Sequence, residues 1–201
     1  LQTGGAPGSD RGFFSTPKDV AVDKEGSIYI VDSKNNRIQK FNANGDFVLA
    51  FGKEGDGPGD FREPCGIDVG PNGNIYVADT WNGRVQIFTN TGSFIQEVGK
   101  DRGMWGPRDV GVDDKGNIYI CNTGFHTIEK LDDKGRYLTS FGKKRNPPVN
   151  PTPTPQNYKR PKLAPGEFDE PFSVKQGPDG NMYILDRKNY RCQVMTTEGK
   201  Y

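Results

Sequence analysis

An acidic residue and an arginine stand five positions apart three times in this chain, as Asp32 and Arg37, Asp79 and Arg84, and Asp186 and Arg191. A carboxylate and a guanidinium brought together this way form a charge-assisted pair. A catalytic carboxylate would be expected once, so the repetition points to an ion pair that caps a loop in three equivalent places. A fourth place carries Asn122 and Thr127 instead. Both partners are replaced together, as a paired interaction requires, because one charge kept without the other would stand uncompensated. Other reactive groups are few. His126 is the single histidine, and Cys65, Cys121 and Cys192 are widely and unequally spaced. Zinc usually takes several His or Cys ligands, so no zinc site is expected, and the cysteines read as free thiols rather than a disulfide framework. Neither a GxSxG elbow nor a GxxxxGK[ST] loop occurs. No catalytic residue, metal or cofactor is expected.

The elements that must hold these side chains follow from composition and patterning. The chain has 201 residues, enough for one domain or a short repeat array. Only 32% of it is hydrophobic, and 27 glycines accompany 15 prolines, a composition close to that of disordered chains. The apolar residues nevertheless fall in short alternating runs of Ile, Val, Tyr and Phe between Gly/Asn/Asp turns, the pattern of half-buried strands. An all-β fold with many tight turns accounts for both. Net charge is +1, so no whole-protein field draws the chain onto nucleic acid or an anionic membrane. No apolar run reaches the roughly eighteen residues of a membrane helix, and no membrane insertion is expected. The opening LQTGGAPGSD has neither an initiator Met nor a signal-peptide core, which reads as a processed, trimmed or excised chain.

Self-similarity organises the rest. Four segments align: TPKDVAVDKEGSIYIVDSKNNRIQKFNANGDFVLAFG from Thr16, EPCGIDVGPNGNIYVADTWNGRVQIFTNTGSFIQEVG from Glu63, GPRDVGVDDKGNIYICNTGFHTIEKLDDKGRYLTSFG from Gly106, and EPFSVKQGPDGNMYILDRKNYRCQVMTTEGKY from Glu170. Their marker prolines, Pro17, Pro64, Pro107 and Pro171, lie 47, 43 and 64 residues apart. A period in the low forties with four short strands per unit is the arithmetic of a β-propeller blade. In the first unit the expected strands are 19–22, 27–31, 37–41 and 47–51, the last two joined through Asn44-Gly45, a dipeptide that accepts positive φ cheaply. The expectation is one all-β propeller domain of four-stranded antiparallel blades. Residues 1–142 hold an N-terminal strand and three blades, 143–165 an insertion, and 166–201 a fourth, incomplete blade. The insertion is Pro-rich with six basic residues. It reads either as an extended excursion of polyproline character or as a docking strap for a partner.

With GxF…P, GNIYVADT, NNRIQKF and FG in register, the units resemble NHL repeats. The resemblance covers nearly the whole chain apart from the insertion. It implies part of a six-bladed ring completed by further blades or another chain, the alternative being a compact ring in which 1–4 completes the last blade. It says little of function, since the family includes RNA-binding tripartite-motif proteins, an amidoglycolate lyase, and scaffolds or sensor modules. GNIYVADTWNGRVQIF is most similar to prokaryotic repeats carried outside the membrane by envelope proteins, which implies an extracytoplasmic place, periplasmic or at the cell surface.

Repeat proteins keep shared positions for the fold and place recognition on variable loop positions. After the second strand these are Lys34, Trp81, Gly124 and Lys188, then Asn36, Gly83, His126 and Tyr190, with Phe125 where the other units have Asn. After the marker prolines they are Lys18, Cys65, Arg108 and Phe172, followed by Asp19, Gly66, Asp109 and Ser173. The resemblance places that column at one mouth of the central channel. Trp81, Phe125, His126 and Tyr190 form an aromatic candidate binding set, to which Lys34, Lys188, Lys18 and Arg108 add cations. The plainer alternatives are local packing for the rings and pairing of Lys18 and Arg108 with Asp19 and Asp109. The expected function is a non-enzymatic scaffold that binds a protein or other macromolecular partner through one loop-bearing face. One alternative is a propeller hydrolase or lyase, lactonase-like or amidoglycolate-lyase-like, with metal ligands on further blades. Alignment of the units yields no channel-facing Glu/Asn/Asn/Asp set for calcium. RNA binding is a further alternative, weakened by the acidic residues beside most of the cations.

Overall fold

The computed structural model describes residues 6–143 and 163–201; the expected N-terminal strand and most of 143–165 lie outside them. The first blade comprises β1 (Pro17–Val22), β2 (Ile28–Asp32), β3 (Arg37–Phe41) and β4 (Phe47–Phe51). The second holds β5 (Ile67–Val69), β6 (Ile75–Asp79), β7 (Arg84–Phe88) and β8 (Phe94–Val98), and the third β9 (Pro107–Val112), β10 (Ile118–Asn122), β11 (Thr127–Leu131) and β12 (Tyr137–Gly142). Among the described residues the fourth blade has three strands, β13 (Pro171–Gln176), β14 (Met182–Asp186) and β15 (Arg191–Met195). Every sheet is an antiparallel meander in chain order, so the all-β propeller expected from the period is the fold.

The strands form where the period-2 pattern places them, and burial explains where that pattern fails. A blade has a leading face toward the preceding blade and a trailing face toward the next. In the second blade Ile67, Ile75, Val77 and Phe88 lead, packing on Ala21, Tyr29, Val31 and Ile38 of the first. Tyr76, Ala78, Val85 and Ile87 trail and pack on Val110, Val112, Ile118 and Ile120 of the third. With both faces covered, β6 and β7 are buried throughout, and their sequences run nearly continuously apolar as doubly covered strands do. The outer strand β4 alternates instead. Each fully buried Ile, Val or Phe contributes about 1.5–3 kcal/mol, so the blade interfaces are the core.

The innermost strands are tied across blades by carboxylates. Asp19 Oδ2 accepts the Ile67 N–H at 2.9 Å, Asp68 Oδ2 the Val112 N–H at 2.8 Å, and Asp109 Oδ2 the Val174 N–H at 3.0 Å. At the outer hairpin of the first blade, Gly45 takes φ 87° and its N–H reaches the Asn42 carbonyl at 2.9 Å. Asn42 Oδ1 accepts the Asn44 and Asp46 N–H groups, so only the glycine of the Asn-Gly pair adopts the left-handed conformation and an asparagine two residues earlier organises the turn. The turn at 113–116 is built in the same way: Asp113 Oδ1 accepts the Lys115 and Asn117 N–H groups, and its carbonyl takes the Gly116 N–H.

Candidate functional site

The loop after the second strand of each blade is built to one plan. A single 3-10 turn follows the strand and ends in a left-handed residue, Asn36, Gly83, His126 or Tyr190. In three blades an aspartate closes the loop. Asp79 Oδ1 accepts the Arg62 N–H at 2.8 Å, while Oδ2 accepts from Arg84 Nε at 2.8 Å, Asn82 at 2.9 Å and Gln86 at 3.1 Å. Asp32 and Asp186 hold Arg37 and Arg191 the same way, at 2.7 and 3.0 Å. The sequence pairs are therefore real, and the glutamine two residues after each arginine, Gln39, Gln86 or Gln193, is a partner that pair spacing alone missed. In the third blade Asn122, Phe125, Thr127 and Glu129 replace Asp, Asn, Arg and Gln as a set. The Asn122 amide and the Thr127 hydroxyl both donate to Glu129 Oε1.

Above this altered loop opens a cleft of about 670 Å³ lined by side chains of the second, third and fourth blades. Trp81 and Trp105 stand on its wall, each half exposed, with Arg108, His126, Arg187 and Lys188 around them. Gly124 seats Trp105: a Cβ there would lie 1.4 Å from the indole Cε3. The Arg108 guanidinium carbon lies 5.5 Å from the Trp81 ring centroid, a cation–π distance. The Trp81 indole N–H donates to the Glu63 carboxylate, which Lys34 binds at 2.7 Å across the first blade boundary; that lysine holds the Glu63 carboxyl below its ordinary pKa. On the far wall burial tends to raise the Glu170 carboxyl, but Lys188 and Arg187 outweigh it and hold it low. Arg187 is 2.6 Å from Glu170 Oε2, and Lys188 pairs with the other oxygen.

Four of the sequence candidates, Trp81, His126, Lys188 and Arg108, thus line one cleft. Lys34 joins the same network through Glu63, and Lys18 is an exposed cation whose field acts on Glu63 and Cys65. Phe125 is half-buried and is not among the cleft-lining residues. Tyr190, 93% exposed, borders a separate depression with Phe172 and Leu185. His126 holds backbone in place, since its Nδ1 accepts the Glu170 N–H at 3.0 Å, as Asn36 Oδ1 accepts that of Glu63 at 2.7 Å. Both donating residues, Glu170 and Glu63, precede a marker proline at positive φ, 54° and 47°, so the variable position steadies a strained backbone. Trp105 was not among the residues that the sequence singled out; the signal was its column, where Ser15, Arg62 and Asp169 stand in the other units.

The axis is closed by a different cation from those the sequence offered. Lys175 Nζ reaches Asp109 Oδ1 at 3.1 Å, the Ile67 and Val110 carbonyls at 2.7 and 2.8 Å, and Asp19 Oδ2 at 3.6 Å. Asp19 and Asp109 therefore pair with Lys175, a strand residue, rather than with Lys18 or Arg108. Burial pushes the Asp109 carboxyl up to about 6 against the pull of Lys175, and the surrounding carboxylates hold the Lys175 ammonium above its ordinary pKa despite burial.

The NHL repeat family matches residues 14–41 and 61–88. Peptidyl-glycine alpha-amidating monooxygenase B of Xenopus laevis is 46% identical over 50 residues, which are 24% of this chain and 6% of that protein. Among solved structures, a streptogramin B lyase superposes with a TM-score of 0.67 at 16% identity, over 93% of this chain and 53% of the lyase. A chain of a nidogen/laminin complex gives 0.65 at 18% identity, over 94% and 63%. This chain thus spans about half of the lyase and a small fraction of the monooxygenase, and the structural likenesses speak for the fold. NHL-repeat matches fall on the first two blades, and the same strand plan in all four blades makes the fold a β-propeller.

Proposed function

We propose that this propeller is a non-enzymatic interaction module whose cleft docks a protein partner, and that the partner presents a carboxylate beside a flat apolar group. The observation that carries this reading is the cleft wall: two half-exposed indoles with Arg108 between blades and Arg187 opposite. Trp and Arg are the residues on which interface energy concentrates. Arg108 is held against Trp81 at no cost to its charge, so an incoming carboxylate meets an oriented guanidinium. A lyase or hydrolase reading needs an acid–base group aimed at substrate. The cleft's His126 and Glu170 are engaged in holding backbone and in ion pairs, which favours the binding reading.

The chain has two tryptophans, and both flank the cleft, so tryptophan emission excited beyond the absorption of tyrosine reports on it. Titration with peptides carrying an acidic residue next to an aromatic one should change the emission saturably, and Arg108→Ala should weaken binding about tenfold or more, the loss of a charged hydrogen bond. Emission indifferent to every acidic peptide, together with turnover of a lactone or hydroxyglycine compound, would overturn the reading.

A further inference from the structure

The residue before each marker proline lies at positive φ in every blade: Thr16 at 54°, Glu63 at 47°, Gly106 at 61° and Glu170 at 54°. At two of the three internal blade boundaries that residue is a glutamate gripped by cations. Glu63 receives Lys34 of the first blade at 2.7 Å, and Glu170 takes Arg187 at 2.6 Å on one oxygen and Lys188 on the other. The middle boundary, between the second and third blades, has Gly106 instead, and a Cβ built there meets nothing within 4 Å. Gly83 likewise stands where Asn36 and His126 accept the N–H groups of the glutamates. A cation is nevertheless present. Trp81 occupies the place of Lys34, and the Arg108 guanidinium carbon lies 5.5 Å from its ring centroid, so positive charge returns to the column on another residue. That guanidinium also meets the Cys65 thiol, and no carboxylate among the described residues pairs with it.

We infer that an acidic side chain of the docked protein takes the place at this boundary that Glu63 and Glu170 take at the other two, lying over Gly106 with its carboxylate on Arg108 and its stem against Trp81. The inference rests on the docking reading above and adds where the carboxylate sits. The repeat sets a cation at each internal boundary; two boundaries supply their own anion, and the third leaves it to the partner. Gly106 and Arg108 both line the cleft, so an incoming side chain reaches them together. Arg108 is half-buried, which weakens solvent screening of a charge brought to it. A guanidinium takes both oxygens of a carboxylate at once, and the indole beneath it fixes the plane in which it does so.

The probe is acetyl-Phe-Glu-amide, whose capped ends leave the side chain as its single carboxylate, with binding followed by tryptophan emission. Gly106→Glu supplies a carboxylate from the chain itself, and Gly106→Gln supplies the same shape without the charge. Thr16, Glu63 and Glu170 show that the backbone at this position carries a side chain. Gly106→Glu should lower affinity for the probe about tenfold or more, because its carboxylate takes Arg108, whereas Gly106→Gln should lower it about threefold or less. Independently of the probe, Gly106→Glu should resist urea better than Gly106→Gln by up to about fivefold in the unfolding constant, the scale of a part-exposed ion pair. That advantage should vanish when Arg108→Ala is added. Gly106→Asp and Gly106→Asn repeat the comparison should the longer pair misfold. Equal weakening by the charged and neutral variants, weakening by neither, or no coupling to Arg108 overturns the inference. Binding lost in Arg108→Ala but kept in Gly106→Glu overturns it while sparing the docking reading. Emission of the unmodified chain indifferent to every acidic peptide overturns both.

Discussion

In the second blade the loop after the second strand is closed by a guanidinium that is 1% exposed, whose Nε meets Asp79 and whose NH groups meet Glu97, Gly57 and Asp60. In the third blade the same place is closed by Asn122, Thr127 and Glu129 with no arginine. The second loop is a sealed knot. The third surrenders that knot, places Gly124 where other blades carry long side chains, and seats Trp105 on it. The difference teaches that the cleft exists where the repeat gave up its ionic closure. Breaking the knot should show the contrast most plainly. Arg84→Met leaves Asp79 buried without its cation, and a broken buried pair costs about 3–5 kcal/mol. Urea unfolding should register that loss, whereas Thr127→Val in the third blade should cost less, about 1.5–3 kcal/mol, the scale of one hydrogen bond to a carboxylate. Equal effects would erase the distinction between the two loops.

The axial lysine offers a second contrast, between a cation serving several carboxylates and one serving a single loop. Lys175→Met removes a partner from Asp19, Asp68 and Asp109, with an expected cost of about 1.5–3 kcal/mol at pH 8, the scale of charged hydrogen bonds. The cost should shrink at pH 5. Asp109 already titrates near 6 with its lysine present because burial raises it. Without Lys175 it rises further, and a carboxyl raised on folding takes up a proton that relieves the buried charge as pH falls. Denaturant unfolding of both proteins at the two pH values measures the difference, and a loss that grows toward pH 5 would contradict the assignment.

Gly124→Ala addresses the cleft itself. The added methyl meets the Trp105 ring, and overpacking of this kind costs about 1–3 kcal/mol. The more telling readout is the tryptophan emission, which should shift to longer wavelength as Trp105 is lifted into water, while Gly45→Ala in the outer hairpin of the first blade, where an added methyl meets nothing within 4 Å, should leave it unchanged.

The fold was legible because its determinants repeat. Proline, the GNIYVADT-type strand pair and the Asp-to-Arg spacing recur at a fixed period, so each unit corroborates the others. The strand bounds shifted by only one or two residues, for instance β2 at Ile28–Asp32 against an expected 27–31. The cleft was half legible. Trp81, His126, Arg108 and Lys188 stood out as departures from the repeat, and the structure gathers them. Trp105 did not stand out, because its importance depends on a glycine nineteen residues later that the sequence cannot place beneath it. Lys175 was invisible for a related reason: it sits mid-strand in a column shared with Ala21, Asp68 and Gly111, and only the approach of inner strands across the axis turns that column into a charge cluster.

The smallest expected effect separates recognition from stability. Lys34 and Glu63 make an exposed ion pair at 2.7 Å, and exposed pairs contribute about 0.2–1 kcal/mol. Lys34→Ala should therefore barely move the unfolding midpoint. Glu63 also receives the Trp81 indole N–H, and its low pKa depends first on Lys34. A carboxyl depressed by that lysine returns toward its ordinary value when the lysine is removed, so in the variant it takes up a proton at higher pH on acidification. The environment of Trp81 should then change at a higher pH than in the unmodified chain. An acid titration followed by tryptophan emission reads this directly. A curve superimposable on that of the unmodified chain would mean that Lys34 neither tunes Glu63 nor reaches the cleft through it, and the network would end at the first blade boundary.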